Sequence, residues 1–214
     1  MLFRSDEKDK AKKNPKALWP ELWSIEKLEA ERRDMGSAMF ACSYMNDISG
    51  LMSGNVFRRE WFQYFRQLPK DKTYRYKMGV DLASSEKQEA DYTARVVIAE
   101  DEDMNTYVWS VYRAKIETDH RQFVIDGANA FPLLERIVIE NNQFQSALVQ
   151  ELLNTTRLPV VGKRADVDKV TRARAVSARY ESRKVFHHES LQGSDFEVEL
   201  LQFPKGHDDM IDAL

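Results

Sequence analysis

Met78-Gly79-Val80-Asp81 closes a run from Tyr74 to Leu82 whose short, β-branched and aromatic content reads as a strand. Its apolar residues anchor a central strand, and the acid emerges at the strand's edge. Ile137-Val138-Ile139-Glu140-Asn141-Asn142 repeats the design: the apolar run is too short and too β-branched for a helix, and it ends in an acid followed by loop-forming asparagines. Each acid also has a plainer role open to it. Asp81 fits a turn cap with Ser84 and Ser85, and Glu140 fits a solvated strand terminus. Near the end of the chain, Gly206-His207-Asp208-Asp209-Met210-Ile211-Asp212 adds three carboxylates, with Asp209 and Asp212 on one face of a turn if this is helical.

Working outward, Tyr74–Leu82, Thr93–Glu100 and Thr106–Ala114 predict three sequential antiparallel strands separated by polar turns. A helix is expected at 119–130, a buried strand at 136–140, a helix at about 143–154, a strand at 158–161, and then a long basic helix. This β-β-β-α-β-α-β-α order predicts an α/β fold with a mixed sheet and helices on its faces. Upstream, residues 1–18 are lysine-rich and poor in core formers. Ser24 can cap a helix carrying Ile25, Leu28, Arg32 and Met35, and Met39, Phe40 and Tyr44 extend it or form a second helix after Gly36. Gly50–Asn55 supplies loop chemistry, and 56–65 is dense in aromatics. Pro69-Lys70-Asp71 breaks the chain, which places a domain boundary near residue 70.

Composition bounds the function. At 214 residues and 43% hydrophobic content, one substantial core is expected. The charged residues nearly cancel to a net of −3, which excludes a uniformly basic DNA-coating protein, so any nucleic-acid surface must be local. The single cysteine, Cys42, allows neither an internal disulfide nor a cysteine-rich zinc cage. No apolar segment is long enough for a signal peptide or a membrane span, so no membrane partner is expected.

Carboxylates held close together repel, and a divalent cation is the natural compensator. An Asp/Glu set without cysteine suits magnesium or manganese better than zinc. Two such ions roughly 3.5 to 4 Å apart can activate a water and stabilise the leaving oxygen in phosphodiester hydrolysis, which is nuclease chemistry. Between Lys163 and Lys184, eight basic residues stand against three acids. Lys163, Arg164, Lys169, Arg172 and Arg174 are therefore candidate phosphate contacts, with a solvated helix face as the alternative. His187 and His188 resemble a metal-binding pair, but adjacent strand residues face opposite ways, so both are read as structural. His207 fits a satisfied loop histidine or a group that orients water or phosphate.

These residues resemble the C-terminal nuclease domain of the large terminase subunit of tailed bacteriophages. The resemblance covers most of residues 18–214. It rests on Leu18-Trp19-Pro20 before the Ser-led helix, Phe57-x-x-Glu60-Trp61, Gly79-Val80-Asp81-Leu82-Ala83 with Asp91 downstream, Val138-Ile139-Glu140-Asn141, and Gly206-His207-Asp208-Asp209. It implies a ribonuclease H-like mixed sheet, three antiparallel strands followed by parallel additions, flanked by helices and preceded by a helical extension. It also implies that Asp81, Glu140 and Asp209 are metal-ligating catalytic acids, with Asp208 sharing that role and Asp212 ligating or tuning. Asp91 is read as a turn-stabilising residue. Further implications are a cofactor of Mg2+ or Mn2+, with two ions, and a substrate of double-stranded DNA. The ATPase region, the small terminase subunit and the portal would be partners, all in the host bacterial cytoplasm.

The chain has no G-x-x-x-x-G-K-[ST] loop, so it is not expected to be the translocation motor. Residues 1–70 read as a tail and helical linker following a missing ATPase region, and 71–214 as the nuclease domain. The sequence stops at Leu214 partway through an expected helix, as an excised domain or a separately encoded module would. The leading expectation is an endonuclease of little sequence preference that serves phage genome packaging. The alternatives are another enzyme of the same fold class, a junction resolvase or an integrase-like strand transferase, and a non-catalytic module that docks DNA or portal.

Overall fold

A computed structural model describes residues 17, 19–48, 54, 56–83, 92–116, 119–140, 145–164 and 167–214. Seven strands form one sheet: β1 (Gln63–Phe65), β2 (Tyr74–Asp81), β3 (Thr93–Asp101), β4 (Thr106–Ala114), β5 (Leu134–Glu140), β6 (Val160–Lys163) and β7 (Val185–His188). Their spatial order is β1-β7-β4-β3-β2-β5-β6. β2, β3 and β4 pair antiparallel, and β5 and β6 add parallel beyond β2, as expected. Two short strands extend the opposite side. β7 lies parallel to β4 and β1 parallel to β7, so the aromatic segment before residue 70 enters the same sheet as the strands after it.

Among the described residues the α-helices are α1 (Ile25–Met35), α2 (Ser37–Met45), α3 (His120–Ala130), α4 (Gln145–Thr155), α5 (Lys169–Glu181), α6 (Asp195–Gln202) and α7 (Asp209–Asp212). The expected long basic helix is α5, which begins at Lys169 under a cap in which Asp168 accepts from the Thr171 N–H, so Lys163 and Arg164 precede it. α6 was not expected.

Strand periodicity decides which side chains face which layer. Met78, Val80, Leu82, Ile137 and Ile139 pack with Phe123 and Val124 of α3 and Val149 and Leu152 of α4. The intervening residues, Gly79, Asp81, Val138 and Glu140, face the opposite layer of α5 and α7. Ile137 and Ile139 are fully buried, and each burial stabilises by about 1.5–3 kcal/mol. A one-residue slip of β5 would expose both isoleucines and drive Glu140 into the core, which pins the register that delivers the acid.

The N-terminal helices dock on the outside of α5. Ser24 caps α1 through the Lys27 N–H. Gly36, at φ +80°, separates α1 from α2 and lies so close to α5 that a Cβ there would sit 3.1 Å from the Ala178 Cβ. The backbone N–H and the hydroxyl of Ser37 both donate to Glu181. Val56, Phe57 and Phe62 belong to the core cluster that includes Tyr180, Phe196 and Phe203. Among the described residues, no helix is long and apolar enough to cross a membrane.

Candidate active site

β2 and β5 are parallel neighbours with Val80 opposite Ile139, so Asp81 and Glu140 follow one another at the same strand end. α7 brings the C-terminal acids to them, and Gly79 makes that approach possible. A Cβ on Gly79 would lie 1.9 Å from the Ala213 carbonyl oxygen, so only glycine lets this helix lie against β2. Met210 and Ile211 anchor α7 in the core. Its first N–H groups are satisfied by buried Glu199 of α6, whose carboxylate accepts from Met210 N at 2.7 Å and Ile211 N at 3.1 Å. Arg113 holds Glu199 from β4 at 3.2 Å and stacks on Tyr92, whose ring meets that of His207 edge-on. On the other side, Gln145 of α4 donates to the Leu82 carbonyl, and Ala83 N–H donates to Thr93, which secures the chain just after Asp81.

Burial pushes the Asp81 carboxyl up to about 8, and the charges of Asp212, Glu140 and Asp209 add to the rise. Asp209 is also raised, first by burial and then by Asp208. One Asp209 oxygen is buried with no hydrogen-bond partner, and His207 stands 4.0 Å away, too far to supply one. The remaining acids have cations. Arg172 reaches Glu140 and Asp212, each at 3.5 Å, and Lys169 reaches Asp208 and Asp212, each at 2.5 Å. Burial opposes the Lys169 charge, but the hydrogen bonds to Asp208 and Asp212 outweigh it and raise the lysine's pKa.

Asp81, Glu140, Asp209 and Asp212 thus face one another, with Asp208 at the margin through Lys169. Among the described residues, no three Asp, Glu, His or Cys side chains stand close enough to chelate one ion as they are. The donor chemistry nonetheless fits a hard divalent cation: every candidate ligand is a carboxylate oxygen, one carboxyl is raised to about 8 beside other acids, and one buried acidic oxygen has no partner.

The expected DNA contacts separate into three groups. Lys163 is exposed at the end of β6, directly across the ladder from Glu140, and Arg164 is exposed beside it. Neither makes an ion pair among the described residues. Lys169 and Arg172 are engaged by the acids, and a cleft of about 690 Å³ lined by Gly79, Val138, Glu140, Lys163, Arg172 and Asp212 runs between them and the sheet. Arg174 instead lines a groove against α1 and α2 that contains none of the acids. Of the other basic residues, Arg179 donates to Met104 O and Thr106, and Arg183 donates to Glu60 O.

His187 is buried between Tyr180 and Glu197, each 2.8 Å away, while His188 turns outward to Ser190. Ser84, Ser85, Asp91, Asn141 and Asn142 lie outside the described residues. Glu199 and Gly79 are the supporting residues that sequence reasoning missed. Gly79 carried a signal as a glycine inside an apolar strand, whereas Glu199 lies in a segment where no helix was expected and carried no signal.

A family model described as the terminase RNaseH-like domain matches residues 78–214. No curated protein matches the sequence. Among solved structures, the chain is similar to the large terminase of the thermophilic bacteriophage D6E at 12% identity and a TM-score of 0.64, covering 90% of this chain and 51% of that one. It therefore spans about half the length of the D6E protein. It is also similar to the large terminase nuclease of thermophilic phage G20c solved with bound magnesium, at 13% identity and a TM-score of 0.56, covering 75% of this chain and 94% of that one. The large terminase nuclease domain of Thermus phage P74-26 aligns at 12% identity and a TM-score of 0.51, covering 74% of this chain and 91% of that one. At such identities the structural likeness is one of fold, while the family match takes in well over half of the chain, from β2 through α7. The chain belongs to the terminase RNaseH-like domain family.

Proposed function

We propose that this chain is the nuclease part of a phage large terminase, a divalent-metal-dependent endonuclease that cuts double-stranded DNA with little sequence preference during genome packaging. The observation that carries this is the pair of neighbouring strand-end acids, Asp81 and Glu140, facing an acidic helix in a family of terminase ribonuclease H-like domains. The G20c nuclease was solved with bound magnesium, zinc and cobalt, which supports a divalent ion as cofactor.

Asp81, Glu140 and Asp209 would hold that ion, with Asp212 and Asp208 beside them, and magnesium or manganese suits these oxygen donors. When bound, it supplies the positive charge that polarises the scissile phosphodiester and neutralises the leaving oxygen. The chain's own residues do the rest. β2 and β5 hold two acids rigidly, α7 delivers the others, and the buried core beneath them keeps the geometry fixed. Lys163 and Arg164 grip the phosphate backbone next to Glu140 and read no sequence, because their contacts are to phosphate alone. The N-terminal helices docked on α5 carry the connection to an ATPase region. The small terminase subunit and portal complete the assembly in the host bacterial cytoplasm.

Incubation with supercoiled plasmid and Mn2+ tests this. Relaxed and linear products should appear, disappear with EDTA, and be lost in Asp81→Ala and Asp209→Ala. Undiminished cleavage by both variants would remove these acids from the chemistry, and a strong preference for branched over linear duplex would point to a junction resolvase.

A further inference from the structure

Lys169 occupies a position that helix electrostatics disfavour. It is the first residue of α5, where the helix dipole is positive and acids are favoured. Its placement is explained instead by tertiary partners, since its ammonium lies 2.5 Å from one oxygen of Asp208 and 2.5 Å from one oxygen of Asp212. Asp212 is 12% exposed at its side chain and also receives Arg172 at 3.5 Å. Across the site the situation is reversed. Asp81 makes no ion pair among the described residues, and one oxygen of Asp209 is buried without a partner. The acids therefore fall into a compensated half, Asp208 and Asp212, and an uncompensated half, Asp81 and Asp209.

We propose that Lys169 is a built-in cation of this acidic site, so that one divalent ion enters at the Asp81 and Asp209 half and a second is admitted only by displacing the lysine ammonium from Asp208 and Asp212. This rests on the metal-dependent reading above. Lys169 acts through the carboxylates it holds and is thus a positioning residue. Charge-assisted hydrogen bonds from an ammonium to two carboxylates are strong and partly shielded from water here, so the second ion must offset their loss before it gains anything. The first ion meets no ammonium at Asp81 or Asp209, and at Glu140 only the longer Arg172 pair of 3.5 Å.

The experiment is Mn2+ binding by isothermal titration and by electron paramagnetic resonance, on the full chain without DNA, for the unmodified protein, Lys169→Gln and Lys169→Arg. The unmodified protein should bind one tight ion per chain. Lys169→Gln, which keeps a donor but loses the charge, should bind a second ion about tenfold more tightly than the unmodified protein does. Lys169→Arg should behave like the unmodified protein, a rescue that a purely structural role would not tie to metal stoichiometry. Two equally tight ions in the unmodified protein, or an unchanged second affinity in a folded Lys169→Gln, would overturn the proposal. If Lys169→Gln does not fold, the stoichiometry of the unmodified protein still decides. If neither the unmodified protein nor Lys169→Arg binds Mn2+, the metal-dependent reading itself falls, and this proposal with it.

Discussion

Replacing Gly79 with alanine should dislodge α7 and with it half of the acidic site. The new Cβ would stand 1.9 Å from the Ala213 carbonyl oxygen and 2.9 Å from its carbonyl carbon. A carbon and a carbonyl oxygen rest at about 3.3 Å or more, so strand and helix must part by about 1.4 Å. No rotamer change relieves this, because both contacts are with backbone. Overpacking of this kind costs about 1–3 kcal/mol, and the upper end applies where Met210, Ile211 and Ala213 are drawn out of the core together. For a chain of this size the melting temperature should fall by roughly 6–12 °C. A displacement of about 1 Å in the ligating acids should also lower cleavage by roughly a hundredfold.

Gly127→Ala is the matched control. Its Cβ would meet the Met78 sulfur at 2.8 Å and the Arg95 Cδ at 3.0 Å, both side-chain atoms that can move. The helix gains up to about 1 kcal/mol from alanine, so the net change should stay within about 1 kcal/mol. Differential scanning fluorimetry and plasmid cleavage on both variants read the contrast. A Gly79→Ala protein with unmodified stability and activity would refute the close packing of α7 on β2.

Other perturbations separate support from chemistry. Glu199→Ala leaves the buried Met210 N–H without an acceptor and strips Arg113 of its buried partner, leaving it only Asp195, and should cost about 2–3 kcal/mol in urea unfolding, with Glu199→Gln losing less because it keeps an acceptor. Asp81 has a folded pKa raised to about 8, so the ion-free protein should lose stability as pH rises above the ordinary carboxylate range and level off above that value. Asp81→Asn should flatten this slope and stabilise the ion-free protein by an amount on the order of 2–4 kcal/mol at neutral pH while abolishing cleavage. Glu197 is pushed up by burial, but hydrogen bonds from His187, the Gly193 N–H and Tyr64 outweigh this and hold its carboxyl below the ordinary value. Its contribution is complete above the unfolded pKa and is lost as pH falls through the folded one, so Glu197→Gln should weaken the acid-side fall in stability measured by urea midpoint.

Much of this architecture is legible in the chain because β2 through β5 are long enough for period and composition to speak. Met78-Gly79-Val80-Asp81 and Ile137-Val138-Ile139-Glu140 each show apolar residues ending in an acid, and parallel pairing turns that pattern into one site. β1 and β7 span only three and four residues and exist through pairing with each other and with β4, a tertiary effect that local pattern does not carry. α6 escaped notice because its buried face includes Glu197 and Glu199, charges made tolerable by His187, Arg113 and the α7 N–H groups. The basic segment was legible as charge but not as partnership. Nothing in its spacing separates Lys163, which stays exposed, from Lys169, which turns inward to two aspartates. Arg174 likewise shares a helix with Arg172 yet lines a different groove.

The central claim is that the strand-end acids and α7 hold a divalent ion, and anomalous scattering from crystals soaked in Mn2+ tests it most directly. The account predicts a peak within ligand distance of Asp81, together with Glu140 or Asp209, that vanishes in Asp81→Asn crystals of unchanged fold. Manganese bound elsewhere, or a peak that survives the Asp81→Asn substitution undiminished, would contradict it.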